Sequence, residues 1–154
     1  MVLFLDHVAI AVRDLRGAET FLGLFGFEVA DAVVIQGEPF SSYVGVPDLA
    51  ADHVIMALPD TEPRQQVHLL HFHHPEPLDE VSRARLDRLG INHFGFAVAD
   101  LEATLADLRA KGVRQRSEML VFPHRKLVFL EGPEGITLEL SEWLQPGAPR
   151  AVGR

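Results

Sequence analysis

The stretch LDHVAIAVRDLRGAETFLGLFGFEV, residues 5–29, decides the fold, because its pattern occurs a second time in the chain. The second copy, INHFGFAVADLEATLADLRAKGV at residues 91–113, aligns with the first without a gap. The offset is 86 residues (93 minus 7), so that His93 matches His7 and Gly112 matches Gly26. An internal repeat at structurally meaningful positions indicates two similar modules.

Each copy opens with an alternating pattern that predicts a β-strand. His7 shares one face of the first strand with Ala9 and Ala11, while bulky apolar residues occupy the other face. Asp14 and Asp100 then stand where a helix N-cap would accept the first unpaired amide hydrogens, so a helix is predicted after each. The predicted left-handed stops after these helices are Gly26 and Gly112.

Three further strands are predicted in each half. The segments are FEVADAVVIQ, HVIMALP and QQVHLLHF in the first half, and VRQRSEML, KLVFLEG and GITLELSEW in the second. The sequence therefore predicts the α+β class, with two βαβββ modules in a single domain. The predicted parts are module 1 at about 3–74, a linker at about 75–90, module 2 at about 91–143 and a mobile tail at 144–154. A short helix is possible at LDEVSRARLDR, within the linker region.

Composition narrows the function classes. With 154 residues and 47% hydrophobic content, the chain can bury one ordinary core. The 14 Lys and Arg against 22 Asp and Glu give a net charge of -8, which does not favour nucleic acid as a partner. We expect no membrane span, because no run of about 18 apolar residues occurs, and we expect a cytoplasmic protein. The absence of Cys leaves His and carboxylate as the side chains available to bind a metal.

Four ionisable residues lie within otherwise apolar strands, where burial without a partner would be costly. His7 and His93 occupy the repeated position of the first strand, while His68 and Glu139 occupy matching positions in the last strand of each half. Imidazoles and a carboxylate from different strands suit Zn, Mn, Fe, Co or Ni. We therefore predict a divalent metal site formed by His7, His68, His93 and Glu139, beside small residues that leave room for a substrate.

The other five histidines are interpreted as solvated or structural. A single histidine in a strand is more often a hydrogen-bonded or surface residue than a metal ligand. These residues are His53, His71, His73, His74 and His124.

The segments LDHVAIAV, INHFGFAVADLEATLADLRAKGV and FLEGPEGITLELSEW resemble the vicinal oxygen chelate superfamily, over roughly residues 3–143. This resemblance implies paired modules whose strands form a cupped mixed β-sheet around one divalent metal ion. It also implies ligands on the first and last strand of each module, which transfers to His7, His68, His93 and Glu139. A homodimer and a small-molecule substrate with two vicinal oxygens are implied as well.

The predicted function is that of a metal-dependent lyase or isomerase of glyoxalase or epimerase type. In it, Glu139 or His68 would shuttle a proton at the carbon alpha to a metal-polarised carbonyl. Similar isomerases and lyases commonly carry Glu or Gln where this chain has His68, so His68 is either a ligand or a base. One alternative is an Fe(II)-dependent extradiol-type dioxygenase that uses His7, His93 and Glu139. Another is a drug-binding protein without turnover.

Overall fold

The computed structural model describes residues 2–78, 84–87 and 89–144. The chain divides into two compact units, Met1–Asp79 and Glu80–Arg154. Most of the helix predicted at 78–88 and nearly all of the tail predicted at 144–154 lie outside the described residues. In the described part of the chain, no helix is both long and apolar enough to span a membrane.

The first unit consists of strand, helix and three strands, with one additional helix. Its elements are β1 (His7–Ala11), α1 (Leu15–Gly23), β2 (Glu28–Gln36), α2 (Phe40–Val44), β3 (Ala50–Ala57) and β4 (Gln66–His74). The strands form a mixed sheet in the order β1-β4-β3-β2. β1 runs parallel to β4, whereas β3 is antiparallel to both of its neighbours.

The second unit has the same sheet topology and no counterpart of α2. Its elements are β5 (Phe94–Ala97), α3 (Leu101–Ala110), β6 (Leu120–Phe122), β7 (Arg125–Glu131), a short 3₁₀ helix (Pro133–Gly135) and β8 (Thr137–Trp143). The sheet order is β5-β8-β7-β6, with β5 parallel to β8 and the other pairs antiparallel. The predicted α+β fold of two βαβββ modules is thus confirmed.

The prediction of a strand over VRQRSEML, residues 113–120, is largely wrong. Within it the structure has only an isolated bridge from Gln115 to Leu130 before β6 begins at Leu120. Ser117 explains part of the difference, because its Oγ accepts the hydrogen bond of the Phe129 amide at 2.9 Å. A side chain that competes for a ladder amide interrupts regular strand pairing.

Both helices begin at the predicted aspartates. The Asp14 carboxylate accepts from the Gly17 amide at 2.8 Å, and the Asp100 carboxylate accepts from the Ala103 amide at 2.9 Å. Each cap satisfies an amide that has no partner within its helix. Gly26 and Gly112 adopt φ values of 87° and 85°, so both predicted left-handed positions are confirmed.

Each helix packs against the sheet of its own unit, which leaves the other sheet face for polar residues. α1 contacts β2 and β4, and α3 contacts β8. In the first unit, the side chains of Val54, Met56 and Leu69 are buried. These residues alternate with His53, Ile55 and His68, so strand parity places the two sets on opposite faces.

Candidate metal centre

The first unit brings His7 and His68 into direct contact. β1 pairs with β4 in a register that sets Ala9 opposite His68, and His7 lies two residues before Ala9 on the same strand face. The two imidazole rings are stacked, with centroids 3.9 Å apart and planes inclined by 4°. His68 is 8% exposed, whereas the His7 side chain is 40% exposed. His7 is therefore the more accessible of the two rings.

The second unit brings His93 close to Glu139. The register sets Gly95 opposite Glu139, which repeats the relation between Ala9 and His68 in the first unit. His93 Nε2 lies 3.9 Å from Glu139 Oε2. A Cβ atom at Gly95 would lie 3.9 Å from Glu139 Oε1. The absence of a side chain at Gly95 therefore leaves open space beside the carboxylate.

The repeated histidines are oriented in the same way by the residues that precede them. His7 Nδ1 donates to Asp6 Oδ2 at 2.7 Å, and His93 Nδ1 donates to Asn92 Oδ1 at 2.8 Å. Asp6 and Asn92 are themselves equivalent in the repeat, at the same offset of 86 (92 minus 6). An imidazole that donates through Nδ1 keeps its lone pair on Nε2, and this second-sphere arrangement is usual for metal-ligating histidines.

His68 has hydrogen-bond partners on both ring nitrogens. Its Nε2 donates to Gln66 Oε1 at 3.0 Å, because a carbonyl oxygen can only accept. In the neutral ring, Nδ1 then accepts from His53 Nε2, also at 3.0 Å. His53 and Gln66 were not predicted as site residues. The pairing of β3 with β4 brings His53 to His68, and the sequence carries no direct signal of that register.

Burial lowers the pKa of His68 below the usual value for histidine. Positive charge on His7 and on His53 acts in the same direction, while the Asp6 carboxylate opposes it. Desolvation disfavours the charged imidazolium, so the ring is held in its neutral form. A neutral imidazole is the form that accepts a proton or binds a metal.

The stacked rings limit how a metal ion can be held. The lone pair of an imidazole nitrogen lies in the ring plane, and two parallel, separated planes share no point. His7 and His68 are therefore not oriented to bind one ion together. Taken by itself, the first unit offers His7 Nε2 as a donor, and the second unit offers His93 Nε2 and the Glu139 carboxylate. Nitrogen and oxygen donors of this kind fit a divalent transition metal.

A cavity of about 460 Å³ lies in the first unit, and neither His7 nor His68 is among its lining residues. Asp6 and Gln66, which hydrogen-bond His7 and His68, are among its lining residues. The loop of residues 58–64 forms part of the wall and includes Arg64. The cavity is large enough for a small molecule.

Two further groups of ligating atoms lie close together among the residues that the structure describes. One group comprises Asp52, His71 and His73, and the other comprises Asp100, Glu102 and Glu142. In the second group, the Lys126 ammonium lies 2.7 Å from Glu102 and 3.3 Å from Glu142. Glu102 and Glu142 are thus already paired with a cation of the protein.

Comparison with known proteins identifies one superfamily. A sequence model described as the Glyoxalase/Bleomycin resistance protein/Dioxygenase superfamily matches residues 6–129. Among functionally curated proteins, none matches the sequence significantly.

Three solved structures illustrate the shared fold. A glyoxalase family protein from Bacillus cereus has a TM-score of 0.85 at 24% identity, covering 94% of this chain and 97% of the other. A mutant of glyoxalase I from Zea mays has a TM-score of 0.64 at 16% identity, covering 88% of this chain but 44% of the maize chain. A mutant fosfomycin resistance protein from Listeria monocytogenes, complexed with Mn(II) and 1S,2S-dihydroxypropylphosphonic acid, has a TM-score of 0.59 at 15% identity, covering 91% and 92%.

The family match spans the repeated histidines, the first sheet, β5, β6 and most of β7, and it ends before β8. The resemblance inferred from the repeated segments is therefore confirmed, and the chain belongs to the Glyoxalase/Bleomycin resistance protein/Dioxygenase superfamily.

Proposed function

We propose that this protein is a metal-dependent lyase or isomerase that moves a proton at the carbon alpha to a chelated carbonyl. The observation that carries the proposal is the repeated orientation of His7 and His93. Each donates through Nδ1 to the preceding side chain and keeps Nε2 for a metal. Two structural histidines would not need the same position and the same second-sphere contact in both modules.

We propose His7, His93 and Glu139 as the protein ligands of one divalent ion. When bound, the ion supplies Lewis acidity, which stabilises negative charge that develops on a substrate oxygen. Zn, Ni, Co, Mn and Fe are all compatible with two imidazoles and one carboxylate. The ligand set predicted from the sequence also included His68, and the proposal assigns that residue a different role.

His68 is proposed as the proton acceptor. Its neutral ring accepts at Nδ1 from His53 Nε2, so a proton passed to His53 can move on to His68 along this hydrogen bond. Gln66 Oε1 holds the opposite nitrogen at 3.0 Å and fixes the ring orientation. Burial lowers the pKa of His68 and so favours its neutral form, the form that has a lone pair to accept a proton. Glu139 is the other candidate base. The variants His68→Phe and Glu139→Gln distinguish the two candidates.

The cavity of the first unit supports a small-molecule substrate. Asp6 and Gln66, which hydrogen-bond His7 and His68, line it. Its charged lining residues are one cation, Arg64, and four carboxylates, Asp6, Glu28, Asp60 and Glu62. We propose that the substrate is a small molecule that carries two neighbouring oxygens for the metal.

A homodimer is also proposed. β2 is an edge strand on which Val29, Val33 and Val34 are 52%, 48% and 62% exposed. Apolar side chains along an unpaired edge favour association with another copy. Sedimentation equilibrium should give twice the mass of one chain, and a concentration-independent mass of one chain would contradict this proposal.

An Fe(II) extradiol-type dioxygenase is the second candidate. The specific observation in its favour is that the His68 ring is stacked on His7 and is not oriented to bind the same ion. Without His68, the proposed ligands are His7, His93 and Glu139, and Fe(II) oxygenases use such a set of two histidines and one carboxylate. In that reaction the His53 and His68 pair would accept a catechol proton.

The test begins with metal analysis of protein purified without oxygen, followed by reconstitution with each candidate ion. Exchange of the alpha proton in deuterium oxide is then measured by NMR with α-hydroxycarbonyl compounds. Metal-dependent exchange that is lost in Glu139→Gln is the expected result. Oxygen uptake with catechols by the iron form would favour the second candidate. Absence of both activities with metal bound would indicate a binding protein and contradict the proposal.

A further inference from the structure

A second group of potential metal ligands lies at the start of β3 and the end of β4. Asp52, His71 and His73 each offer one potential ligand atom, and these three atoms lie within 4.8 Å of one another. His73 Nε2 lies 3.1 Å from Asp52 Oδ2. His71 and His73 are three and five residues after His68 on β4. Strand alternation therefore places them on the sheet face opposite His68, and this group is separate from the centre described above.

His71 is held in the tautomer that a metal requires. Its Nδ1 lies 3.1 Å from the carbonyl oxygen of Val12. Because a carbonyl can only accept, Nδ1 carries the proton and the lone pair is on Nε2. Metal-ligating histidines usually donate their other ring N–H to a carbonyl or carboxylate in this way.

The ring orientations in this group allow joint ligation. The imidazoles of His71 and His73 are nearly perpendicular, at 88°, with centroids 5.2 Å apart. Perpendicular planes intersect along a line, so one ion can lie in the planes of both rings. The stacked rings of His7 and His68, inclined by 4°, do not offer this possibility.

Exposure of the group matches a site that an ion can reach from solvent. The His73 side chain is 49% exposed and that of Asp52 is 29% exposed. Partial burial raises the strength of charge interactions above that in bulk water, while the open side leaves positions for water ligands. The other close group, around Glu142, differs because Lys126 already lies between its carboxylates.

We infer that Asp52, His71 and His73 form a second divalent metal site, suited to Zn²⁺, with water completing the coordination. Two imidazoles and one carboxylate are nitrogen and oxygen donors that this ion prefers. The ion would connect β3 to β4. Because it would also hold the His71 ring in place, it would stabilise the hydrogen bond from His71 Nδ1 to the carbonyl of Val12, the residue after β1. The inference does not depend on the proposed catalytic function.

The test uses Zn²⁺ as the probe and a variant that lacks the proposed catalytic ligands. His7→Ala/His93→Ala protein is loaded with Zn²⁺, passed through gel filtration and analysed for metal. One Zn²⁺ per chain is expected. Adding His73→Ala should weaken Zn²⁺ binding at least tenfold in calorimetric titration, whereas adding His74→Ala, which alters the neighbouring histidine, should leave it unchanged. Equal binding by these two variants would overturn the inference.

A second measurement covers the case in which the starting variant does not fold. In the otherwise unchanged protein, His73→Ala should lower Zn²⁺ stoichiometry by one per chain and His74→Ala should not. Asp52→Asn keeps the side-chain shape and should weaken the same site at least tenfold. Zn²⁺ should also raise the thermal midpoint of the unchanged protein more than that of His73→Ala, because a ligand that binds only the folded state stabilises it. An identical rise in both would count against the site.

Discussion

The imidazole rings of His7 and His68 lie face to face, 3.9 Å apart between centroids and only 4° from parallel. This relationship separates two residues that the sequence alone treats as equivalent ligands. His7 keeps Nε2 accessible because Asp6 occupies Nδ1, whereas His68 has His53 and Gln66 at its two nitrogens. The contact therefore assigns the metal to one ring and proton transfer to the other in the proposed reaction.

The first prediction concerns the role of His68. His68→Phe retains an apolar ring against His7 but removes both nitrogens. We expect metal stoichiometry to be unchanged and alpha-proton exchange to fall by about 10²- to 10⁴-fold, the usual contribution of a general base. Metal analysis and NMR exchange measure the two effects. If metal is lost as completely as in Glu139→Gln, then His68 is a ligand.

The second prediction concerns the side chains that orient the repeated histidines. Asn92→Ala removes the acceptor at His93 Nδ1, and Asp6→Ala removes the acceptor at His7 Nδ1. Loss of such second-sphere partners typically weakens metal binding by about 10- to 100-fold. Calorimetry with Zn²⁺ should show this loss in a His73→Ala background. That substitution removes a ligand of the proposed second site, so that binding there does not contribute to the titration.

The control for this prediction is Asn92→Asp. It keeps an oxygen acceptor at the same position and should preserve metal affinity. Equal affinities of Asn92→Ala and Asn92→Asp would show that the hydrogen bond does not orient His93.

The third prediction concerns the space beside Glu139. A Cβ at Gly95 would be at ordinary contact distance, 3.9 Å from Glu139 Oε1, so Gly95→Ala should retain metal. Gly95→Leu would extend into the space that the carboxylate occupies and should abolish binding. The matched control is Ala97→Leu, two residues along the same strand and opposite Ser141. Metal analysis of the folded variants should separate Gly95→Leu from this control.

The fourth prediction concerns the N-cap of α1. A Cβ at Gly17 would collide with the Asp14 carboxylate, which caps the helix, whereas a Cβ at Gly23 meets open space. Gly23→Ala should stabilise the protein by about 0.5 kcal/mol or more through helix propensity. Gly17→Ala should gain nothing, because displacing the cap costs about 1 kcal/mol.

Urea denaturation of both variants measures the difference. In an Asp14→Ala background there is no cap to displace, so Gly17→Ala should become stabilising. Equal effects of the Gly17 substitution with and without Asp14 would contradict the proposed coupling.

Much of the fold followed from local patterns in the sequence. Alternation around His7 and His93 predicted the first strands, and Asp14 and Asp100 marked the helix starts, because capping depends on neighbours only three residues away. The superfamily was identified from the same repeated segments. VRQRSEML was the exception, since the Ser117 side chain takes up an amide that regular pairing would have used.

For the candidate site, the sequence and the tertiary structure each supplied a different part. The sequence by itself was enough to propose His7, His68, His93 and Glu139 as candidates, because a two-residue period and a repeat are visible along the chain. Only the tertiary structure placed His53 on His68 and Asp52 beside His71 and His73. These contacts depend on the antiparallel register of β3 and β4, which is set by packing and pairing between segments rather than by either segment alone.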